Sequence, residues 1–250
     1  MRGGALHRPT PDAIPYLAAR ASLHRMTVPK AANWFTFAAD GNPVGNDDYG
    51  CCVEAYRRRQ IEIWHRNAMG DETPASRDAV LADYALEPGF DPKTGVPDAG
   101  SDVVTAMTHW ATNGIRIDEQ NLSIIRWAKI DPANDDHIAI AIAHLGGIGV
   151  TLNLPPALLE DPANWPAAPG TGTNWQTTNE YHRVGFGQFD GPERTAITWG
   201  MRLLLHPDSW RRYVVAVDAA MSREFLETTG KTPADLDYDA LAADLAGMAA

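Results

Sequence analysis

The chain has 250 residues and a formal net charge of −11 at pH 7. Its composition, 44% hydrophobic and 21% charged, is that of a folded protein large enough for one domain or for two lobes that share an interface. A nucleic acid is excluded as an expected partner, because binding to a phosphate backbone is driven by clustered Lys and Arg.

The N-terminus and the cysteines bear on where the chain is made and on what stabilises it. Residues 1–9 contain no apolar core of signal-peptide length, so we expect synthesis in the cytoplasm without a signal peptide. The most apolar stretch, Ile138–Val150, is interrupted by His144 and two glycines and is too short to span a bilayer. The only cysteines, Cys51 and Cys52, are neighbours, and a disulfide between neighbours is strained. We therefore expect the core alone to stabilise the fold.

The first elements predicted along the chain are an arm and a helix. The arm, residues 1–32, is rich in Pro, Gly and Ala, and we expect it to be irregular apart from a short helix over Ile14–Leu23. The turn-forming run Gly45–Gly50 then leads into a helix that begins near Cys52, because apolar residues recur after it at helical spacing. We expect the basic run Arg57–Arg59 to form a solvated face of this helix.

Two further helices are predicted in the first half. A helix over Ala75–Tyr84 has Ser76 where its hydroxyl can cap the first turn. Another over Ser101–Asn113 ends at an Asn-Gly stop signal. Together these helices predict a helical lobe over residues 33–123.

The second half is predicted to be mainly β-structure. The segment Asp135–Leu145 is ambiguous, because its isoleucines alternate as in a strand whereas its alanines and acidic start favour a helix. The predicted strands are Ile124–Ile130, Ile148–Leu154, His182–Phe189 and Thr195–Trp199. A chain that begins with helices and continues with strands predicts an α+β fold, here a single domain over 1–250 with a β lobe at 124–218 and a tail at 219–250.

A long loop, residues 155–179, precedes the third predicted strand. It is rich in Pro, Gly and Asn and carries Trp165 and Trp175. Long ordered loops in compact domains tend to be functional or to cover something. We interpret this one either as a binding surface or as a lid packed on the β lobe.

The sequence gives no sign of a cofactor. There is no Walker loop and no dinucleotide-binding glycine pattern. His137 and His144 lie two helical turns apart, too far to chelate one ion, and turn and cap roles explain the paired aspartates at 47–48 and 135–136 better than Ca²⁺ binding does. We therefore expect neither a metal nor a cofactor.

Cys52 is the most reactive candidate in the chain. It follows a glycine turn at the start of a predicted helix, where the helix N-terminus favours a thiolate. A nucleophilic cysteine needs a base, and His182, at the start of the strand after the long loop, is the best-placed candidate. The alternative is that Cys52 is a small buried residue and His182 an ordinary strand residue.

Several segments, taken in order, resemble those of papain-like cysteine peptidases. They are Asn46–Cys52 entering a helix, Ser101–Ile115 and Ala139–Leu154 between, His182–Phe189 as the histidine strand, and Ala196–Gly200 as the strand that carries Asn-Ser-Trp-Gly in that family. Their order and rough spacing match over about residues 33–218. More narrowly, the run at 45–52 and the later Thr-Trp-Gly resemble a branch encoded by bacteriophages and prophages.

The resemblance implies a papain-like fold of two lobes, with a helical N-terminal lobe and an antiparallel, β-barrel-like C-terminal lobe. It also implies that Cys52 is the nucleophile and His182 the general base. Asn46 and the backbone N–H of Cys52 are implied as oxyanion donors. Asn46 stands where the family has Gln, so its amide is one methylene shorter.

Two further positions depart from the family pattern. Ile197 stands where the family has the Asn that orients the histidine, and an aliphatic side chain cannot accept a hydrogen bond from an imidazole. Tyr181 and Arg183 flank His182 where small residues are usual, so we expect them to fill part of the cleft and Arg183 to lower the pKa of His182. The residues that can replace the missing Asn are Thr195, Thr198 and Asp190.

Two functions stay open. Because of these departures, we expect a structural or binding component of a phage or prophage virion, with a degenerate or weak Cys/His site and other virion proteins as partners. The alternative is an active cysteine hydrolase, a peptidase or amidase, that acts on a peptide substrate through a thioester formed by Cys52 and His182.

Overall fold

The computed structural model describes residues 3–9, 14, 16, 27–36, 41–70, 74–86, 89–117, 119–166 and 168–222. Most of the predicted helix over Ile14–Leu23 and the acidic tail from Asp235 lie outside the described residues. Among the described residues, none of the helices combines the length and the apolar character that a bilayer span requires.

The first half of the chain is helical, as predicted. Helix α1 spans Cys52–Trp64 and continues into a π-helical turn, His65–Met69; helix α2 spans Arg77–Leu86 and helix α3 spans Val103–Asn113. The short strands here are β1 (Ala5–Leu6), β2 (Ala31–Asn33), β3 (Ser101–Asp102), β4 (Ile115–Ile117) and β5 (Gln120–Leu122). Strand β1 pairs in parallel with β3, and β4 pairs antiparallel with β5.

The ends of these helices follow from their capping residues. The Ser76 hydroxyl accepts a hydrogen bond from the N–H of Ala79 at 3.2 Å, which confirms its predicted capping role. Helix α3 begins two residues later than predicted, because the Asp102 side chain accepts from the N–H of Thr105 at 2.9 Å while Ser101 and Asp102 pair with β1. Gly114, at φ +75°, ends the helix as expected.

The second half forms an antiparallel sheet. Its strands are β6 (Ile124–Ile130), β7 (Ile148–Leu154), β8 (Glu180–Asp190), β9 (Glu193–Thr198), β10 (Met201–Leu205) and β11 (Val214–Ser222). They lie in the order β10-β9-β8-β7-β11-β6, and β2 adds to the far end of β8. The sheet is therefore open, whereas the sequence predicts a barrel-like lobe. The ambiguous segment is helix α4 (Asp135–Leu145), and two short helices, α5 (Pro156–Glu160) and α6 (Pro207–Tyr213), complete the lobe.

Helix α1 packs directly on strand β8. Tyr56 lies against Gly185, where an added β-carbon would come within 3.2 Å of the ring. A β-carbon added to Gly187 would likewise lie 2.8 Å from the Phe35 ring. Glycines on this strand therefore allow close packing against it. All thirteen residues of α1 are buried, so the helix lies inside the molecule.

The basic run Arg57–Arg59 is buried, and the prediction of a solvated face is wrong. Arg57 donates to the carbonyl of Ala106 at 2.9 Å, and Arg58 forms a two-point ion pair with Asp83 at 2.6 and 2.9 Å. The physical reason is that α1 is enclosed by the sheet on one side and by α2 and α3 on others. These guanidinium groups therefore make their polar contacts with protein groups in place of water.

The long loop 155–179 behaves as a lid on the β lobe. Trp165 and Trp175 are partly buried against the main core, and the Trp165 indole donates to the carbonyl of Leu158 at 3.1 Å. Trp165 also meets Trp199 edge-on, with ring centroids 6.3 Å apart. Of the two interpretations left open by the sequence, these contacts favour the lid.

The buried pair of Arg58 and Asp83 gives a stability test. We expect Arg58→Met to lower the free energy of unfolding by about 3 kcal/mol, because it leaves the Asp83 carboxylate buried without its partner. Urea unfolding at neutral pH measures this difference. The exposed Arg211, which pairs with Asp208, provides the control, and Arg211→Met should change stability by less than about 0.5 kcal/mol. Equal effects of the two substitutions would contradict the burial of the run.

Candidate active site

Cys52 is the first residue of α1 and is held there by a rigid turn. Within the turn, the N–H of Tyr49 donates to the carbonyl of Gly45 at 3.0 Å. The N–H of Gly50 then donates to the Asp98 carboxylate at 2.9 Å. Gly45 has a φ of +94°, which favours glycine at that point of the turn. The predicted turn-to-helix transition at Cys52 is therefore confirmed.

The Cys52 thiol is buried beside strand β8. Its Sγ accepts a hydrogen bond from the backbone N–H of Arg183 at 3.4 Å, which brings the sulfur next to the peptide that joins His182 and Arg183. Burial raises the pKa of the Cys52 thiol to about 12, although the N–H groups of Arg183 and Gly4 act in the opposite direction. In this state the sulfur carries its proton at neutral pH.

His182 lies on β8 opposite Leu152 and has no exposed surface. Its Nε2 lies 2.7 Å from the Thr198 hydroxyl, and its ring stacks on Trp199 with centroids 4.2 Å apart and an interplanar angle of 12°. Among the described residues, the other nitrogen, Nδ1, has no hydrogen-bond partner. Burial lowers the pKa of His182 to about 3, so the imidazole is neutral.

The turn between β9 and β10 fixes the Trp199 indole over His182. Trp199 has a φ of +50° and Gly200 a φ of +75°, and a left-handed conformation at a non-glycine residue costs about 1–2 kcal/mol. A β-carbon on Gly200 would lie 2.4 Å from the carbonyl carbon of Gly41, so the turn is packed against residue 41. The strained residue is therefore held by its surroundings at the point where it covers the histidine.

Thr198 supplies the contact that the sequence left open among three residues. Ile197 points into an apolar cluster with Phe35 and Ile63, so residue 197 does not face the imidazole. The next residue along β9, Thr198, presents its hydroxyl to Nε2. The substitution of Ile for the family's Asn thus leaves the histidine with a polar partner, one residue further along the chain.

Asn46 is buried in the turn that precedes α1. Its Nδ2 donates to the carbonyl of Tyr49 at 3.1 Å, a bond within its own turn. Asn46 and Cys52 both line a cavity of about 20 Å³. A cavity of this size has room for one water molecule or one oxygen atom. The oxyanion role of Asn46 stays a prediction.

Arg183 occupies a different place from the one expected. Its guanidinium pairs with Asp218 at 2.6 Å and lies 4.4 Å from the centre of the Tyr56 ring, between α1 and the sheet. A β-carbon on Gly149 would lie 2.0 Å from the guanidinium, so the absence of a side chain there makes the room. Arg183 therefore fills the space behind the helix, and burial is what lowers the pKa of His182. Sequence reasoning missed Asp218, although an Arg inside a strand signals a carboxylate on another strand.

In the N-terminal segment Gly3–Arg8, the backbone of Gly4 lies in a narrow groove between Gly50 and Gly100, beside Cys52. The N–H of Gly4 donates to the carbonyl of Tyr181 at 2.9 Å, and the carbonyl of Gly4 accepts from the N–H of Ser101 at 2.8 Å. The segment also forms one side of an open cavity of about 1120 Å³, whose other sides are the region around Gly50 and the end of the long loop. The sequence predicts an irregular arm in this part of the chain. The Gly3–Gly4 pair, which signals a close approach between backbones, was not recognised.

The remaining candidates take structural places. Cys51 is a free, buried thiol whose pKa is raised by burial. His137 and His144 are buried on helix α4. Within the described part of the chain, no group of three or more His, Cys, Asp or Glu is arranged to hold a metal ion.

Three solved structures are similar to this chain in fold. Xylellain, a cysteine protease from Xylella fastidiosa, aligns with a TM-score of 0.65 at 10% identity, covering 88% of this chain and 95% of its own. The proCathepsin B S9 of Trypanosoma congolense aligns at 0.61 and 12% identity, covering 89% and 87%. The digestive procathepsin L 3 of the Tenebrio molitor larval midgut aligns at 0.54 and 13% identity, covering 83% and 73%. No family model and no curated protein matches the sequence.

These likenesses define the class of fold. The chain has a papain-like α+β fold, in which a helix with cysteine at its start packs on an antiparallel sheet. At identities between 10% and 13%, these likenesses show the fold alone. The predicted fold class is confirmed, and nothing in the comparisons favours the branch encoded by phages.

The burial of His182 predicts how stability depends on pH. Because its pKa falls from 6.5 to about 3 on folding, the unfolded chain binds the proton more readily between these values. The free energy of unfolding therefore falls as the pH falls through this window. His182→Gln cannot bind this proton, so its stability should fall less than that of the unmodified chain between about pH 7 and about pH 4.

Urea unfolding at a series of pH values measures the two slopes. The exposed, non-titrating Leu86 provides the control, and Leu86→Ala should keep the acid dependence of the unmodified chain. Parallel curves for His182→Gln and the unmodified chain would show that His182 takes up its proton as readily in the folded state.

Proposed function

We propose that the chain is a cysteine hydrolase that cleaves peptide or related amide bonds, with Cys52 as nucleophile and His182 as general base. The observation that carries the proposal is the arrangement around His182. One ring nitrogen lies 2.7 Å from the Thr198 hydroxyl, one ring face is covered by Trp199, and the other nitrogen has no hydrogen-bond partner among the described residues. The backbone N–H of the next residue, Arg183, donates to Cys52 Sγ. A base needs this combination of a fixed ring and a free nitrogen.

The chemistry runs through one tautomer of the imidazole. In it, the Nε2–H donates to the Thr198 hydroxyl, so Nδ1 can accept the thiol proton of Cys52. The sulfur then attacks the carbonyl carbon, and the imidazolium returns its proton to the leaving amine as the C–N bond breaks. The product is a thioester on Cys52 and a free amine. Water then attacks the thioester and gives its proton to Nδ1, which releases the acid and restores the thiol.

The developing oxyanion requires donors near the start of α1. The dipole of α1 favours negative charge at Cys52, and the backbone N–H of Cys52 and the Asn46 amide are the proposed donors. The small cavity lined by Asn46 and Cys52 supports this assignment, because its volume of about 20 Å³ suits a single oxygen.

Reaction requires the N-terminal segment to leave the groove. In the described state, burial holds the pKa of Cys52 at about 12 and that of His182 at about 3, so proton transfer from sulfur to nitrogen is strongly unfavourable. Departure of Gly3–Arg8 admits water to the thiol and removes part of this desolvation. The described state is therefore a covered one.

The alternative role as a virion component has less support. It was expected because of three departures from the family pattern, and the two that concern His182 no longer argue against catalysis. Thr198 contacts the imidazole in place of the Asn missing at Ile197, and the Arg183 guanidinium is paired with Asp218 behind α1. The three neighbouring structures are a cysteine protease and two procathepsins.

Replacement of the nucleophile tests the proposal directly. We expect the full chain to hydrolyse fluorogenic peptides, and Cys52→Ala to abolish this activity because no thioester can form. The adjacent buried thiol provides the matched control, and Cys51→Ala should keep most of the activity. Equal loss in both variants, or activity that survives in Cys52→Ala, would exclude Cys52 as the nucleophile.

The hydroxyl of Thr198 gives a second test. Thr198→Val removes the hydrogen bond and keeps the shape, so we expect kcat to fall about tenfold to a hundredfold with little change in KM, since a hydrogen bond to a buried group is worth about 1–3 kcal/mol. Thr198→Ser should restore kcat. Thr195→Val, on the same strand, is the control and should leave kcat unchanged. A change in KM alone would assign Thr198 to substrate binding and contradict a positioning role.

A further inference from the structure

The segment Gly3–Gly4 lies beside the Cys52 thiol as an extended backbone. Its backbone is held on both sides, by the carbonyl of Tyr181 and by the N–H of Ser101. The Gly4 N–H lies close enough to Cys52 to act on the pKa of the thiol. The chain's own segment therefore shows what kind of residue the groove admits next to Cys52.

The groove has no room for a side chain at Gly4. A β-carbon there would lie 2.1 Å from the carbonyl oxygen of Gly50 and 2.3 Å from its Cα. On the other wall, a β-carbon on Gly100 would lie 2.2 Å from the carbonyl oxygen of Gly4. Both walls are backbone, which cannot rotate away as the end of a flexible side chain can. At Gly3, a β-carbon would also come within 2.6 Å of the Tyr181 carbonyl oxygen.

The two walls are tied to each other by three hydrogen bonds, one buried and two partly buried. The N–H of Gly50 and the hydroxyl of Tyr84 both donate to the Asp98 carboxylate at 2.9 Å, and the N–H of Gly100 donates to the Tyr84 hydroxyl at 2.8 Å. Tyr84 has no exposed surface. This chain of bonds fixes the distance between Gly50 and Gly100, so the passage between them cannot widen without breaking these hydrogen bonds.

We propose that the passage between Gly50 and Gly100 is a glycine subsite, and that the peptide substrates of this chain carry glycine, best as a Gly-Gly pair, beside the bond that Cys52 attacks. The proposal rests on the proposed hydrolase function and names its substrate class. The chain's own segment occupies this passage in the structure, but it is not positioned there as a substrate. Its Gly4 carbonyl is bound by the N–H of Ser101, away from the proposed oxyanion donors.

The first part of the test changes the occupant. Full-length Gly4→Ala should fail to seat the segment, so iodoacetamide should alkylate Cys52 about tenfold faster or more, because overpacking of this kind costs about 1–3 kcal/mol. A Cys51→Ala background leaves one thiol to read by mass spectrometry. Leu6→Ala in the same background is the control, because Leu6 is exposed and its loss leaves the passage unchanged. An unchanged rate for Gly4→Ala would overturn the proposal, since a side chain would then fit.

The second part supplies the occupant in trans. We add to the full-length Gly4→Ala chain an acetylated octapeptide with the sequence of residues 1–8, or the same peptide with Ala in place of its second glycine. The glycine peptide should protect Cys52 from alkylation about tenfold better than the alanine peptide. Equal protection by both peptides, or protection by neither, would overturn the glycine subsite.

Protection requires no turnover, so the outcome is separate from that of the hydrolase proposal. Glycine-selective protection in a chain that hydrolyses no peptide would defeat the proposed function and leave the subsite as a binding site. Hydrolysis of peptides without selective protection would support the proposed function and overturn the glycine subsite.

Discussion

The packing of helix α1 on strand β8 is the contact on which the candidate site depends. The helix carries Cys52 and the strand carries His182, so the distance between these elements sets the distance between the two side chains. Gly185 allows Tyr56 to lie on the strand, and Gly149 makes room for the Arg183 guanidinium beneath the same ring. A side chain at either glycine would push the helix away from the sheet.

Burial makes both Cys52 and His182 neutral. A thiol and an imidazole without water keep the uncharged forms, which is why the pKa of Cys52 rises and that of His182 falls. In the proposed mechanism the segment Gly3–Arg8 keeps water from the thiol, although the Gly4 N–H itself lowers the pKa of Cys52. Access of water to the groove therefore links the position of the N-terminal segment to the chemistry of the site.

Local sequence patterns predicted the helices and strands well, but they predicted the tertiary surroundings of those elements poorly. Gly45–Gly50 predicted the turn and Cys52 the start of α1, because both depend on backbone preferences of neighbouring residues. The basic run Arg57–Arg59 was misread, since its local pattern does not show that α2 and α3 cover the helix. The barrel-like lobe is an open sheet, because closure depends on edge strands that no local pattern pairs. Thr198 could be named only as one of three candidates, because the side of β9 that faces His182 depends on strand register.

The sequence by itself determined the order of elements, the papain-like resemblance and the candidate pair of Cys52 and His182. These features depend on turn residues, hydrophobic periodicity and the order of motifs along the chain. Only the tertiary structure decided which groups surround that pair. The partners Thr198 and Asp218 and the covering Gly3–Gly4 come from distant parts of the chain. Such contacts depend on strand register and close backbone approach, and no local run of residues encodes either one.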